Sequence, residues 1–266
     1  MNDLSVALER PRRATLAGKK ALVIGIANEH SIAYGCAAAF RDFGAELAVT
    51  YLNDKARPFA EPLARGLDAA LFLPLDVTVP GQMEAVFAAV QAKWGTIDIA
   101  LHSIAFAPRA ALHGRVVDVS EADFNTAMKV SCYSFIEMAR GAEALMPDGG
   151  TLFAMSYYGA EKVVRNYNIM GPVKAALEGV VRYVAAELGP KGIRVHAISP
   201  GPLRTRAASG IADFDELLDQ ASEEAPARSL VSIEDVGAAC AGLAMDGARL
   251  ITGGTIYVDG GFNIMA

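Results

Sequence analysis

Cysteine is scarce in this chain: Cys36, Cys132 and Cys240 are the only three in 266 residues. Their number is odd, their spacing is long, and no CxxC or Cys/His ligand pattern accompanies them. A disulfide scaffold and a zinc site are therefore excluded, no metal is expected, and the three read as small buried apolar residues. A cationic surplus is missing too. Lys and Arg number 24 against 30 Asp and Glu, giving a formal charge of -6 and a pI near 5.3, so nucleic acid is not an expected partner. No run approaches the roughly 20 uninterrupted apolar residues that cross a bilayer, so no membrane partner is expected. Residues 1–20 are charged throughout and lack the apolar stretch of a signal peptide, while Asp3 and Glu9 argue against a mitochondrial presequence. The expected location is the cytoplasm. Linkers rich in Pro, Gly and Ser, internal repeats and low-complexity tracts are also absent. What remains is one domain at 17–266, behind a flexible tail at 1–16.

At 53% hydrophobic and 20% charged residues, the chain can bury a full core. From Lys19 onward, short β-branched or apolar runs alternate with longer segments of helical period, which predicts an α/β fold with a doubly wound parallel sheet. Strands are predicted at 20–26, 46–51, 70–75, 97–103, 150–155, 194–198 and 255–258. Helices are predicted at 31–43, 81–94, 121–145, 170–188 and 233–245. The stretch 204–229 is Ala-rich, acidic and without strand signals, and reads as a helical lid before the last helix.

VIGIANEHSIAYG, residues 23–35, follows a strand and opens a helix, the place where such a sheet sets a dinucleotide pyrophosphate on helix amides. Gly25 permits a tight turn, and Ser31 can cap the helix or bond a phosphate. Only Gly25 and Gly35 survive of a G-x-G-x-x-G pattern, so an ordinary capped turn remains open. In LPLDVT, residues 73–78, Asp76 suits an adenine amine and Val77 its ring, or Asp76 caps the next helix. The second strand runs out through Tyr51, Leu52, Asn53, Asp54 and Lys55 with no Arg directly after it to clamp a 2'-phosphate, which favours NADH over NADPH.

The chemistry concentrates in MSYYGAEKVVRNYNIMGPVKAALEG, residues 155–179. Tyr167 and Lys174 are seven positions apart, close to the 7.2 residues of two helical turns, so both groups can reach one face. A tyrosine donates to a developing oxyanion, and a nearby ammonium favours charge there. His102 lies among apolar residues and reads as a core or near-site histidine. Ser156 has neither a G-x-S-x-G elbow nor a histidine partner, which weighs against a hydrolase.

This text resembles the short-chain dehydrogenase/reductase superfamily, and within it the bacterial NADH-dependent enoyl-acyl-carrier-protein reductases of fatty-acid synthesis. The likeness spans about 16–262 and rests on the Tyr-x6-Lys pair, SYYGAE, YNIMGPVKAALE, HSIAFAP (102–108) and AISPGPLRTRAASGI (197–211). Met170 stands where the usual Tyr-x-x-x-Lys pattern would put its tyrosine. The resemblance implies a Rossmann fold and a homotetramer with the VDGGFNIMA end in subunit contacts. It also implies a catalytic set of Tyr157, Tyr167 and Lys174, in which Tyr167 stabilises an enolate and Lys174 holds ribose hydroxyls. Gly25, Ser31, Ile32, Asp76, Val77, Ile104, Lys174, Leu203 and Thr205 match cofactor contacts, and Ala107, Tyr157 and Tyr167 match the acyl pocket. Acyl carrier protein is the implied partner. The lid departs from the family: acids at Asp213, Asp215, Glu216 and Asp219 replace expected cations, leaving Arg204, Arg206 and Arg228 as a displaced basic patch. Alternatives are reduction of another enone or a carbonyl, or dinucleotide binding without turnover.

Overall fold

The computed structural model describes residues 15–205 and 214–265. Seven strands form one sheet in the order β3-β2-β1-β4-β5-β6-β7, every pair parallel: β1 (Lys20–Ile24), β2 (Glu46–Tyr51), β3 (Leu71–Pro74), β4 (Ile99–His102), β5 (Gly150–Met155), β6 (Ile193–Pro200) and β7 (Thr255–Val258). This is the doubly wound sheet that the alternating pattern predicts. Helices α1 (Ile32–Asp42) and α9 (Ile233–Ala244) cover one face; α3 (Gln82–Trp94), α5 (Glu121–Met128), α6 (Ser134–Leu145) and α7 (Met170–Leu188) cover the other. Strand runs such as Ala21 to Ile24 are buried on both faces, as parallel strands between helix layers must be.

Several expectations are corrected. The first strand ends at Ile24 rather than 26 because Gly25 turns to φ +113°. Helix α2 (Arg57–Gly66) was not predicted: Pro58 sits in its first turn and Pro62 lacks a backbone donor, so the sequence reads as helix-poor there. The short helix α4 (Arg109–His113) is also additional. The predicted helix at 121–145 is interrupted by a π-helical turn at Lys129–Tyr133, and π-bulges of this kind are frequent at functional sites. Leu16, assigned to the tail, is fully buried, and its amide bonds the Phe43 carbonyl, so the packed domain includes it.

Helices α1 and α9 approach closely because both carry glycine at the crossing. A Cβ on Gly35 would lie 2.3 Å from the Ile233 carbonyl oxygen, and one on Gly237 would lie 2.4 Å from that of Gly35. Cys36 and Cys240 meet at this seam with their sulfurs 3.8 Å apart, buried and free as expected. The Arg194 guanidinium donates to the carbonyls of Leu243 and Ala244, which satisfies the C-terminal end of α9. Beside it on β6, His196 is buried and stacks on Phe153 at 5.5 Å, and neither ring nitrogen has a partner among the described residues.

Burial holds His196 neutral, with a pKa lowered from 6.5 to about 4. An unfolded histidine takes up its proton near 6.5, so between 6.5 and 4 protonation favours the unfolded chain and stability falls with pH. His196→Phe is expected to lose less thermal stability than wild type between pH 7.5 and 5, as read by melting curves at the two pH values.

Candidate active site

Because every strand is parallel, all carbonyl ends share one edge, and the strand order reverses between β1 and β4. A crevice opens at such a reversal. Gly25 lies in it: a Cβ there would fall 2.2 Å from the Ser103 carbonyl oxygen and 3.5 Å from Ile104 Cγ1. Gly25 and Ile104 are thus brought together. Ser31 precedes α1 but does not cap it with its side chain, which corrects one expectation. Its Oγ instead accepts from the amides of Ala27 and Asn28, each at 3.0 Å, and so fastens the loop. The Ile32 and Ala33 amides take no partner among the described residues, leaving open donors at the helix start.

On the neighbouring strand exits, Asp76 Oδ1 accepts from the Thr78 amide at 2.9 Å and the Thr78 hydroxyl at 2.6 Å. Helix α3 starts from Gly81, so Asp76 is not its cap. Val77 is buried behind it. Tyr51 stacks on Phe72 at 4.3 Å, Lys55 is exposed, and Arg57 pairs with Glu61 at 3.2 Å.

The other half of the site is built on β5 and α7. Tyr157 and Tyr167 meet edge to face with centroids 4.9 Å apart, and Tyr158 packs against Tyr157 at the same distance. Gly159 makes this possible, since a Cβ there would lie 2.6 Å from Tyr167 Cδ1. Asn166 and Asn168, on either side of Tyr167, have φ of 62° and 45°, left-handed values that asparagine tolerates better than most residues. Such local strain often accompanies a held functional side chain. Lys174 is buried in the first turns of α7, and its Nζ donates to the Met155 carbonyl at 2.6 Å. Desolvation lowers its pKa from 10.5 to about 8. Burial raises the hydroxyls of Tyr157 and Tyr167 well above the usual tyrosine value, so both stay protonated donors. The Tyr157 hydroxyl is buried with no partner among the described residues.

Around this pair, His102 is fully buried, and its Nε2 lies 2.7 Å from the Ser134 hydroxyl, which donates to the Val130 carbonyl. It is a near-site histidine held neutral by burial, with a pKa of about 3. Ser131, in the π turn, accepts from the Phe106 amide and donates to the Phe106 carbonyl, which positions the loop carrying buried Ala107. Leu203 and Thr205 follow β6 and are joined by a 2.8 Å amide-to-carbonyl bond. Sequence reasoning missed the π turn and the Ser131 tie, neither of which has a local pattern to reveal it. It also passed over Glu178, although the four-residue step from Lys174 puts both on one helical face.

The lid contains α8 (Phe214–Glu224). Leu218 and Ala221 are buried, and Ala221 and Ala225 pack with Phe262, whose ring lies 5.4 Å from Tyr158. Asp215, Glu216 and Asp219 are exposed, and Arg204 pairs with Asp215 at 2.8 Å. Asp213 and Arg206 lie outside the described residues. No cluster of metal-ligating side chains occurs among the described residues.

The family model for enoyl-(acyl carrier protein) reductase matches residues 25–263. The chain belongs to that family. It is 45% identical over 246 residues to enoyl-acyl-carrier-protein reductase (NADH) 1 of Rhizobium meliloti, covering 92% of this chain and 90% of that protein. Among solved structures, the Anaplasma phagocytophilum reductase in complex with NAD superposes with a TM-score of 0.91 at 44% identity, covering 96% of this chain and 98% of that one. The Bacillus cereus reductase, solved with NADP+ and an indole naphthyridinone, gives 0.92 at 42% identity over 94% of this chain and 98% of that one.

In this enoyl reductase, a methyl group at 159 would have to displace the Tyr167 ring. Gly159→Ala is expected to cost about 1–3 kcal/mol in urea unfolding and to change the tyrosine near-ultraviolet circular dichroism.

Proposed function

We propose that this chain reduces the trans-2 double bond of an enoyl thioester to the saturated acyl thioester, using NADH and a substrate carried on acyl carrier protein, in fatty-acid synthesis. The observation that carries the reading is the buried Tyr167 and Lys174 pair at the carbonyl end of β5, with Met170 in place of a second donor. A methionine cannot give a proton to the oxygen of a carbonyl as hydride reaches its carbon, which disfavours ordinary carbonyl reduction.

The residues present fit a nicotinamide dinucleotide. Lys174 has three N–H donors and uses one on Met155 among the described residues, which leaves a cation and free donors for ribose hydroxyls. Gly25 keeps the crevice floor bare beside Ile104, the free amides at Ile32 and Ala33 suit a pyrophosphate, and Ser31 holds their loop. Asp76 and Val77 would meet the adenine, and Leu203 and Thr205 the nicotinamide end. Bound there, NADH supplies the hydride. The Tyr167 hydroxyl would donate a hydrogen bond to the thioester oxygen as hydride addition at the β-carbon drives negative charge onto it, and the enolate would then take a proton from solvent at the α-carbon to give the saturated thioester. A preorganised donor of this kind is worth about 3–4 kcal/mol. Tyr157, its hydroxyl otherwise unpartnered, would line the acyl pocket with Ala107.

One similar structure holds NAD and another NADP+, so the fold alone does not choose the cofactor. The choice of NADH rests on the β2 exit, where Lys55 points to solvent and Arg57 is engaged by Glu61. We also read the chain as a homotetramer in the cytoplasm. Supporting assembly, Tyr183 on α7 is 76% exposed in a groove also lined by Ile136, Ala176, Val180 and Val184. Light scattering should give a four-chain mass. No helix among the described residues is long and apolar enough to cross a membrane.

Tyr167→Phe is expected to lower kcat about 100-fold or more with NADH affinity little changed, whereas Lys174→Ala should weaken NADH binding. For wild type, the Michaelis constant should be higher for NADPH than for NADH. Wild-type turnover in Tyr167→Phe would remove the tyrosine from the mechanism.

The carrier is tested by following NADH oxidation with one enoyl chain presented on acyl carrier protein and on coenzyme A. The carrier-protein substrate is expected to win on kcat/KM. Because α8 turns acids outward, reversing Asp215 and Asp219 to lysine should raise that kcat/KM further at low salt and lose the gain at high salt. Turnover with coenzyme A alone would refute the carrier assignment.

A further inference from the structure

Behind the two tyrosines lies a carboxylate that the reaction as derived does not use. Glu178, on α7 one turn beyond Lys174, is only 4% exposed. The Ser156 hydroxyl donates to its Oε1 at 2.5 Å, and Ser156 is the residue between β5 and Tyr157. Thr255, at the start of β7, also stabilises the charged carboxylate, so one side chain joins β5, α7 and β7. Burial pushes the Glu178 carboxyl up from its usual range, and these two hydroxyls act against that. Glu161, Tyr167 and Tyr257 also face it, with exposed Arg182 on its own helix.

The groups facing Lys174 come from three elements: His102 from β4, Cys132 from the π turn and Glu178 from α7. His102 is neutral and Cys132 is a buried thiol, its ionisation pushed up by burial. Glu178 is the carboxyl group of this set, and the Ser156 and Thr255 hydroxyls favour its charged form against the burial that opposes it. No direct ion pair between it and Lys174 is present among the described residues; the two are buried one helical turn apart on α7, so its influence on Lys174 is through the field in a water-poor place.

We propose that Glu178 is a positioning residue of the reductase site, holding Ser156 and with it the Tyr157 backbone, and supplying the negative charge that keeps Lys174 an ammonium for cofactor binding. The inference rests on the proposed role of Lys174. It makes two separable demands. Through charge, Glu178 should set the pH above which NADH affinity fades; through its hydrogen bond, it should set the placement of Tyr157.

The test measures NADH dissociation constants by fluorescence from pH 6.5 to 9.5, alongside kcat for enoyl reduction. Glu178→Gln keeps the shape and loses the charge. An opposite charge nearby shifts a pKa by about 1–3 units, so the alkaline loss of NADH affinity should move at least about one unit lower, with binding near wild type at pH 6.5. Glu178→Asp should restore the wild-type alkaline limb. Ser156→Ala, which keeps the carboxylate, should leave that limb in place and lower kcat about three- to tenfold with an unchanged Michaelis constant for NADH. A Glu178→Gln limb that coincides with that of Glu178→Asp overturns the charge role. A moved limb in Ser156→Ala would assign the effect to packing and overturn it equally. Because the binding arm contains no enoyl substrate, a wild-type enzyme that binds NADH with this pH dependence but reduces no enoyl thioester would refute the proposed function and leave the Glu178 result intact.

Discussion

Lys174 carries its ammonium into a place from which water is excluded, and moving a cation there costs several kcal/mol unless the surroundings replace its hydration. The Met155 carbonyl at 2.6 Å replaces part of that shell. The replacement is incomplete, which is why its pKa falls from 10.5 to about 8. Since the unfolded lysine keeps its proton up to about 10.5, the cost to folding is full below about 8 and fades as pH rises toward 10.5. A fold that tolerates this loss gains a cation with unspent donors at the carbonyl end of β5. The same burial pushes Tyr157 and Tyr167 the other way, toward the protonated form. Two neutral O–H donors and one ammonium are therefore stable together at neutral pH.

The parallel sheet makes this arrangement reachable. With β1, β4, β5 and β6 hydrogen-bonded in register, their exits stand side by side, and a short loop from each suffices to deliver Gly25, Ile104, Tyr157 and Leu203 to one crevice. Near those exits the backbone takes left-handed values at Gly25, with φ of +113°, and at the asparagines on either side of Tyr167, as it also does at Asp68 and Arg228 elsewhere. The π turn has a similar place. By adding a residue to the helical path between α5 and α6, it turns Ser131 toward the Phe106 backbone and Ser134 toward His102.

What the sequence discloses follows from which interactions are local. Strands β2, β5 and β7 and helix α7 are readable to the residue, since apolar runs between turn residues or a long 3.6-residue period leave no competing structure. Helix α2 is hidden by Pro62, whose missing donor is a local penalty that packing of Ala60 and Ala64 overrides. In the site, the Tyr167 and Lys174 spacing is visible because helical geometry alone relates them. Ser31 shows the opposite. Its type and position predict a side-chain cap, but its oxygen turns back to the Ala27 and Asn28 amides, a choice made by the loop's closure over the sheet edge. The meeting of Ser156 with Glu178 joins a strand end to a helix, so neither residue's neighbours announce it.

The two sides of α8 carry different constraints. On α8 the apolar side is spent inward, with Leu218 and Ala221 buried and Ala221 packed with Phe262, which in turn touches Tyr158 beside Tyr157 and Tyr167. Its acids face outward, and the nearest described arginine, Arg204, is already engaged by Asp215. An exposed pair of that kind is worth at most about 1 kcal/mol, so a stronger anion could take Arg204 from Asp215 at little cost. The charge on the outer side can then vary while the packed side of the helix remains fixed. The acids Asp215, Glu216 and Asp219 thus fall on the face of α8 that the core packing does not constrain.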